Sequence, residues 1–200
     1  MKDVFQPKTT RDAILDATDR LLAQYGYKNM TIEHLAKEVG IGKGSIYLHF
    51  KSKEEIALSH IDRIISRMRS NLARTARAEL PVEEKLRKMI LERVLYRFDS
   101  VQHYSQSLNE MLVQLRPKLL ERRRHYFEIE ARLFKEVIDD GTRSGKFEIK
   151  DGMATARALI DATNALLPYS LSAYELDDRA EIKKKAQNVA DLIINGLLKR

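Results

Sequence analysis

Thr31-Ile32-Glu33-His34-Leu35-Ala36-Lys37-Glu38-Val39-Gly40-Ile41-Gly42-Lys43-Gly44-Ser45-Ile46-Tyr47-Leu48-His49-Phe50-Lys51-Ser52-Lys53-Glu54-Glu55 holds two short helical periods separated by a glycine turn. Thr31 is placed to cap the first, where Ile32, Leu35, Ala36 and Val39 recur at i, i+3, i+4 and i+7. Gly40 ends it, and a second short helix is predicted from about Gly44 to Phe50. On a wheel Ile46 and Phe50 fall together, facing a small core with Leu21, Ile32, Leu35 and Val39. Gly44, Ser45, Leu48 and His49 fall on the opposite arc, with Lys43 and Tyr47 toward one flank. Two short helices joined this way describe a helix-turn-helix, whose second helix fits the major groove of DNA. Lys43 suits guanine acceptors or a phosphate, Ser45 and Gly44 allow close approach, and Leu48 suits a thymine methyl or the exclusion of water. The spacing also fits an ordinary helical hairpin with a solvated polar face.

Working outward, a first helix is expected from Thr10 to Gly26, with Ile14, Thr18, Leu21, Leu22 and Tyr25 on one face. Ser52 and Glu55 match a capping box, which announces a long helix through Ile56, Ile61, Ile64, Ile65, Met68 and Leu72. Pro81 opens a helix to about Phe98. Pro117 is expected to break the next segment into a helix from Tyr104 to Leu115 and another from Pro117 to Asp140. Lys146-Phe147-Glu148-Ile149-Lys150 alternates between glycines and reads as a loop or brief extended piece. Helices from Met153 to Tyr174 and from Asp178 to Lys199 complete the pattern. The prediction is an all-α fold of about nine helices. Residues 1–51 form the helix-turn-helix unit, and residues 52–200 form a helical effector-binding and dimerisation domain.

Composition narrows the function. Of 200 residues, 32% are charged and none is cysteine, which excludes disulfides, thiolate metal sites and a cysteine nucleophile. The net charge of +7 fits a polyanionic partner. Residues 1–53 carry nine Lys/Arg against six Asp/Glu, so the excess is denser there, where Lys43, Lys51 and Lys53 sit together as a phosphate grip. Met1–Thr10 is polar and has no signal-peptide core, and no apolar run is long enough to span a bilayer, so a protein of the reducing cytoplasm is expected. The histidines lack metal-ligand spacing, no G-x-S-x-G elbow is present, and no phosphate loop follows a strand. No cofactor and no enzyme activity are expected.

The quoted stretch closely resembles the signature of the TetR family of bacterial transcriptional regulators. The resemblance rests on Thr31, Ile32, Leu35 and Ala36, the Val39-Gly40-Ile41 turn, and Ser45, Ile46, Tyr47, Phe50, Lys51, Lys53 and Glu54. It covers about the first 55 residues. It implies that Thr31 touches a phosphate, that Lys43, Gly44, Ser45, Tyr47 and His49 line the groove face, and that Lys53 grips the DNA backbone. Leu48 departs from the aromatic residue or histidine that many relatives carry there.

The remaining helices suit pairing and sensing. Ala158, Ala162 and Ala165 on one helix, and Ile182, Ala186, Val189, Ile193 and Leu197 on the last, are candidates for an intersubunit four-helix bundle or for the chain's own core. Family resemblance points to a two-fold dimer on a pseudo-palindromic operator. Tyr96, His103, Tyr104, Met111, Tyr126, Phe127, Phe134, Asn164 and Tyr169 are the candidates to touch a small-molecule effector. Arg122-Arg123-Arg124 reads as a solvated face, a site for an anionic effector or for DNA, or a surface for a partner protein. The leading expectation is a homodimeric repressor released by a small molecule. The alternative keeps the DNA-binding head and makes the C-terminal bundle a protein-docking surface.

Overall fold

The computed structural model describes residues 9–171, 175 and 178–199. Eight α-helices lie among them: α1 (Thr10–Asn29), α2 (Ile32–Val39), α3 (Lys43–His49), α4 (Lys53–Ala76), α5 (Val82–Val101), α6 (Ser105–Arg143), α7 (Gly152–Asn164) and α8 (Arg179–Leu197). Single 3-10 turns at Gln102–Tyr104 and Pro168–Ser170 complete the order.

Local chemistry sets the N-terminal boundaries. Oγ1 of Thr9 accepts from Asp12 N at 3.1 Å to open α1. The helix breaks at Gly26, where φ is +70°, and one further turn runs to Asn29. Thr31 Oγ1 accepts from His34 N at 3.1 Å and caps α2. Gly40, at φ +76°, closes α2 in the left-handed region that only glycine enters freely. The capping box forms as Glu55 N donating to Ser52 Oγ at 3.1 Å, while the Glu55 carboxylate accepts from Lys51 N at 2.7 Å.

Three expectations are corrected. Pro117 does not break the chain, because α6 runs unbroken for 39 residues with the proline inside. Pro117 leaves the Val113 carbonyl without its helical donor, at a position where the residue is 75% exposed. Burial of Met111 and Leu115 on one side, and Ala131 and Phe134 on the other, holds both halves in one line. The count is therefore eight among the described residues rather than nine. The helix from Met153 stops at Asn164, since Pro168 follows and forces Leu167 into an extended conformation; residues 172–174 of the expected helix lie outside the described ones.

Lys146–Lys150 is a loop with one bridged residue, within the expectation of a loop or brief extended piece. Phe147 pairs antiparallel with Leu198 in an isolated bridge, and Glu148 N donates to Leu197 O at 3.2 Å. Phe147 packs so closely on Gly141 that a Cβ there would lie 2.1 Å from its ring.

Two apolar clusters fill the interior. One joins α1, α2 and α3 to the start of α4, the end of α5 and the first part of α6. The other holds the second half of α4, the first half of α5, the end of α6, α7 and α8. The first cluster places Ile56, Ala57 and Leu58 of α4 in the same core as Leu35 and Ile46, so α4 passes from the N-terminal unit into the bundle without a gap in packing.

Candidate nucleic-acid interface and ligand cavity

Helix α3 is fixed by one buried anchor. Ile46 is fully buried and Phe50, at its C-cap, nearly so, with Arg11 stacked 4.9 Å over the Phe50 ring. The remaining side chains are thereby turned out: Tyr47 is 54% and Leu48 85% exposed, Lys43, Gly44 and His49 are exposed, and Ser45 is half-buried. A Cβ on Gly44 would meet nothing within 4 Å, so packing within the chain does not require glycine there. An outward face of small, hydrogen-bonding and apolar groups on a short helix matches what base edges require. Thr31 sits exposed at the N-terminus of α2, and Lys51 is exposed just beyond α3.

The three lysines of the expected phosphate grip differ. Lys43 pairs with Glu33 across the turn, and both side chains remain more than half exposed. That ion pair holds the Glu33 carboxyl below its ordinary value through the Lys43 hydrogen bond. Lys51 has no ion pair among the described residues. Lys53 is turned inward: Nζ donates to the carbonyls of Tyr27 at 3.0 Å and Lys28 at 3.2 Å and lies 4.7 Å over the Tyr27 ring. A cation on the last carbonyls of α1 is a favourable end to that helix, and burial pushes the Lys53 amine below its ordinary value. Lys53 thus fastens α1 to α4.

Two further contacts fasten the same pair of helices. Arg63 of α4 donates to the Asp16 carboxylate at 2.8 Å. His60 of α4, 2% exposed, lies with Nε2 3.3 Å from both Asp19 of α1 and the Tyr104 hydroxyl. His103 lies 3.1 Å from the other Asp19 oxygen.

The effector candidates fall into three places. Tyr104, Met111, Tyr126, Phe127 and Tyr169 line one cavity of about 300 Å³, enclosed by α4, α5, α6 and the Pro168 turn. Tyr96 and His103 line a separate polar cleft of about 420 Å³ between α1, α4 and α5. Phe134 is fully buried in the second cluster and Asn164 is a ligand to an arginine, so neither lines the cavity. Tyr126 donates its hydroxyl to Asp62, which also pairs with Arg122, and burial pushes the phenol upward.

Sequence reading missed the residues behind the cavity wall. Arg93, fully buried, donates from Nε to Glu130 at 2.8 Å, from Nη1 to Thr163 at 2.5 Å and from Nη2 to Asn164 at 2.8 Å. Arg97, 7% exposed, donates to the other Glu130 oxygen at 2.5 Å and lines the cavity. Burial lowers the Arg93 pKa to about 10. Burial would raise that of Glu130, but Arg97 and Arg93 together hold it below the ordinary carboxylate range. The signal was present: Leu86, Ile90, Arg93, Arg97 and Val101 continue one helical stripe, with arginines at core positions.

Of the pairing candidates, Ala158 and Ala162 on α7 and Ala165 just past its end are exposed, and Val189 and Ile193 are half-buried on α8. Ile182, Ala186 and Leu197 are buried in the chain's own core and are unavailable to a partner. Leu192, 76% exposed beside Ile193, was not anticipated.

An all-α chain that presents a short helix-turn-helix on a helical bundle has the architecture of a DNA-binding regulator. Residues 14–59 match the family model for bacterial regulatory proteins of the tetR family, and residues 82–190 match the tetracyclin repressor-like C-terminal domain. The chain belongs to the TetR family; it is a DNA-binding transcriptional regulator and not an enzyme. It is 27% identical over 194 residues to the fatty acid metabolism regulator protein of Bacillus subtilis, covering 92% of this chain and 93% of that one. The crystal structure of a transcriptional regulator from Cytophaga hutchinsonii shares the fold with a TM-score of 0.77 at 17% identity, over 93% of this chain and 97% of the other. The SmeT–triclosan complex superposes with a TM-score of 0.70 at 19% identity, over 96% and 93%. No helix among the described residues is long and apolar enough to cross a membrane.

Proposed function

We propose that the chain acts as a homodimeric repressor of a pseudo-palindromic operator and is released when a small molecule enters the 300 Å³ cavity. The observation that carries this reading is that α4 belongs to both sites. Ile61, Ile64 and Ile65 of α4 wall the cavity, while Lys53, His60 and Arg63 of the same helix hold α1. A ligand that displaces α4 therefore moves α1, and with it α2 and α3, as one body. Two reading helices in a dimer fit successive major grooves only at one separation, so a small rotation of each head lowers affinity for the operator. The effector in turn binds the operator complex more weakly, by the same factor. The triclosan complex of a protein with this fold supports a small-molecule site.

On α3, we assign base contacts to Lys43, Gly44, Ser45, Tyr47, Leu48 and His49, and phosphate contacts to Thr31 and Lys51. Ala158 and Ala162 of α7 and Ala165 at its C-terminal end, with Val189, Leu192 and Ile193 of α8, form the seam between subunits. The docking of another protein through Arg122-Arg123-Arg124 is disfavoured by the cavity itself and by the pairing of Arg122 with Asp62.

The test is a mobility shift on duplexes carrying two half-sites or one, with and without releasing compounds. Two chains should bind the full site far more tightly than the half-site, and Leu112→Trp, which fills the cavity, should abolish release. Equal affinity for both duplexes, or release unaffected by the tryptophan, contradicts the reading.

A further inference from the structure

The charges around the cavity do not balance. Arg97, Arg116 and Arg123 line it, and among the described residues no carboxylate does. Behind the wall, Arg93 and Arg97 share the single carboxylate of Glu130, leaving one positive charge in excess in a region from which water is excluded. Arg123 stands at the mouth with its guanidinium over the rings of Phe127 (5.4 Å) and Tyr169 (5.7 Å), and no carboxylate pairs with it among the described residues. The nearest acid on α4, Asp62, is held by Arg122 and the Tyr126 hydroxyl. Apart from the amide of Asn109, the rest of the lining is aliphatic and aromatic, with the hydroxyls of its three tyrosines the only other polar groups among the lining side chains. Excess buried positive charge is stabilised by an anion, and guanidinium groups on aromatic faces bind carboxylates or phosphates through charge-assisted hydrogen bonds.

We infer that the cavity takes an amphipathic anion, a single carboxylate or phosphate group carried on an extended apolar body, with the anion at Arg97 and Arg123 and the body among the α4 isoleucines and Leu108, Met111 and Leu112. The inference rests on reading this cavity as the effector site. It excludes cationic amphiphiles, since an ammonium group at the same place adds to the uncompensated charge. It also gives Arg123 a direct ligand contact that its exposure would otherwise conceal.

The probes are decanoate, decyl phosphate, 1-decanol and decyltrimethylammonium, each titrated calorimetrically into the full chain. Decanoate or decyl phosphate should bind at one site per chain about tenfold or more tighter than decanol, from hydrogen bonds to a charged partner. The cation should not bind. Lengthening the carboxylate from octanoate should tighten binding by roughly fourfold per methylene until the cavity is full. Arg123→Gln, at an exposed position, should remove most of the preference for the anion while leaving decanol binding unchanged. Arg97→Gln should do the same, with its thermal melt recorded so that unfolding is distinguished from lost affinity. Decanol binding as tightly as both anions overturns the inference, as does anion binding indifferent to Arg123→Gln. The same samples are then assayed for operator binding. Arginine-dependent anion binding that leaves the operator complex intact supports the ligand class and overturns the release mechanism. Release by other compounds, with no anion binding, does the reverse.

Discussion

The outward face of α3 and the arginine stripe on α5 both carry cations, and they do so in opposite surroundings. On α3, Lys43 and its partner Glu33 stand in water, which screens the pair and leaves it easy to open for a base or phosphate. On α5, Arg93 and Glu130 have no water to share their charge, so each depends on a protein partner. The difference separates what each region contributes. Substitutions on α3 should therefore act on recognition with little effect on stability, whereas those on α5 should act on the fold first.

The largest effect should come from breaking the buried pair. Glu130→Ala leaves two guanidinium groups without their carboxylate and should destabilise the chain by about 3–5 kcal/mol, read from urea melts. A loss comparable to a surface substitution would place Arg93 and α3's lysine in the same class and end the contrast. Next in size, Ser45→Ala and Lys43→Ala should each lose about 1–3 kcal/mol of discrimination between operator and random DNA, with melting unchanged. Uniform loss on all sequences would instead move Lys43 to a phosphate role. Smaller again, Lys53→Ala should lower stability by about 1 kcal/mol through the lost bonds to Tyr27 and Lys28. Its salt slope should stay near wild type, while Lys51→Ala should flatten that slope by roughly one unit. A flattened slope for Lys53→Ala would show that its amine leaves the α1 carbonyls to bind DNA.

Acid sharpens the same contrast. Glu130 is held below its ordinary value, so its stabilising contribution is complete at neutral pH and is lost as pH falls below about 4.5 and through the depressed folded value. Thermal melts across that window should fall more steeply for the wild type than for Glu130→Gln.

Local rules made the N-terminal unit legible. Thr31, Gly40 and Ser52 are caps whose chemistry acts within a few residues, and Ile46 and Phe50, four residues apart, fall on the one face that can anchor so short a helix. The rest was set by partners distant in sequence. Pro117 reads as a breaker unless one knows that Val113 faces water and that both flanks are buried. Lys53 reads as a free cation until the end of α1 arrives beside it. Ile182, Ala186 and Leu197 share a stripe with Val189 and Ile193, and periodicity alone does not say which part of a stripe meets the chain's own core. Arg93 and Arg97 stood at core positions of α5, but their partner Glu130 lies 37 and 33 residues away.

Selection from random duplexes at moderate salt asks whether the α3 face reads sequence. Enrichment of a pseudo-palindrome whose half-sites are one helical turn or a multiple apart is expected, with the preference weakened at matching positions in both halves by Ser45→Ala. A selected pool no different from the starting library, or one unchanged by substitutions on α3, would contradict that expectation.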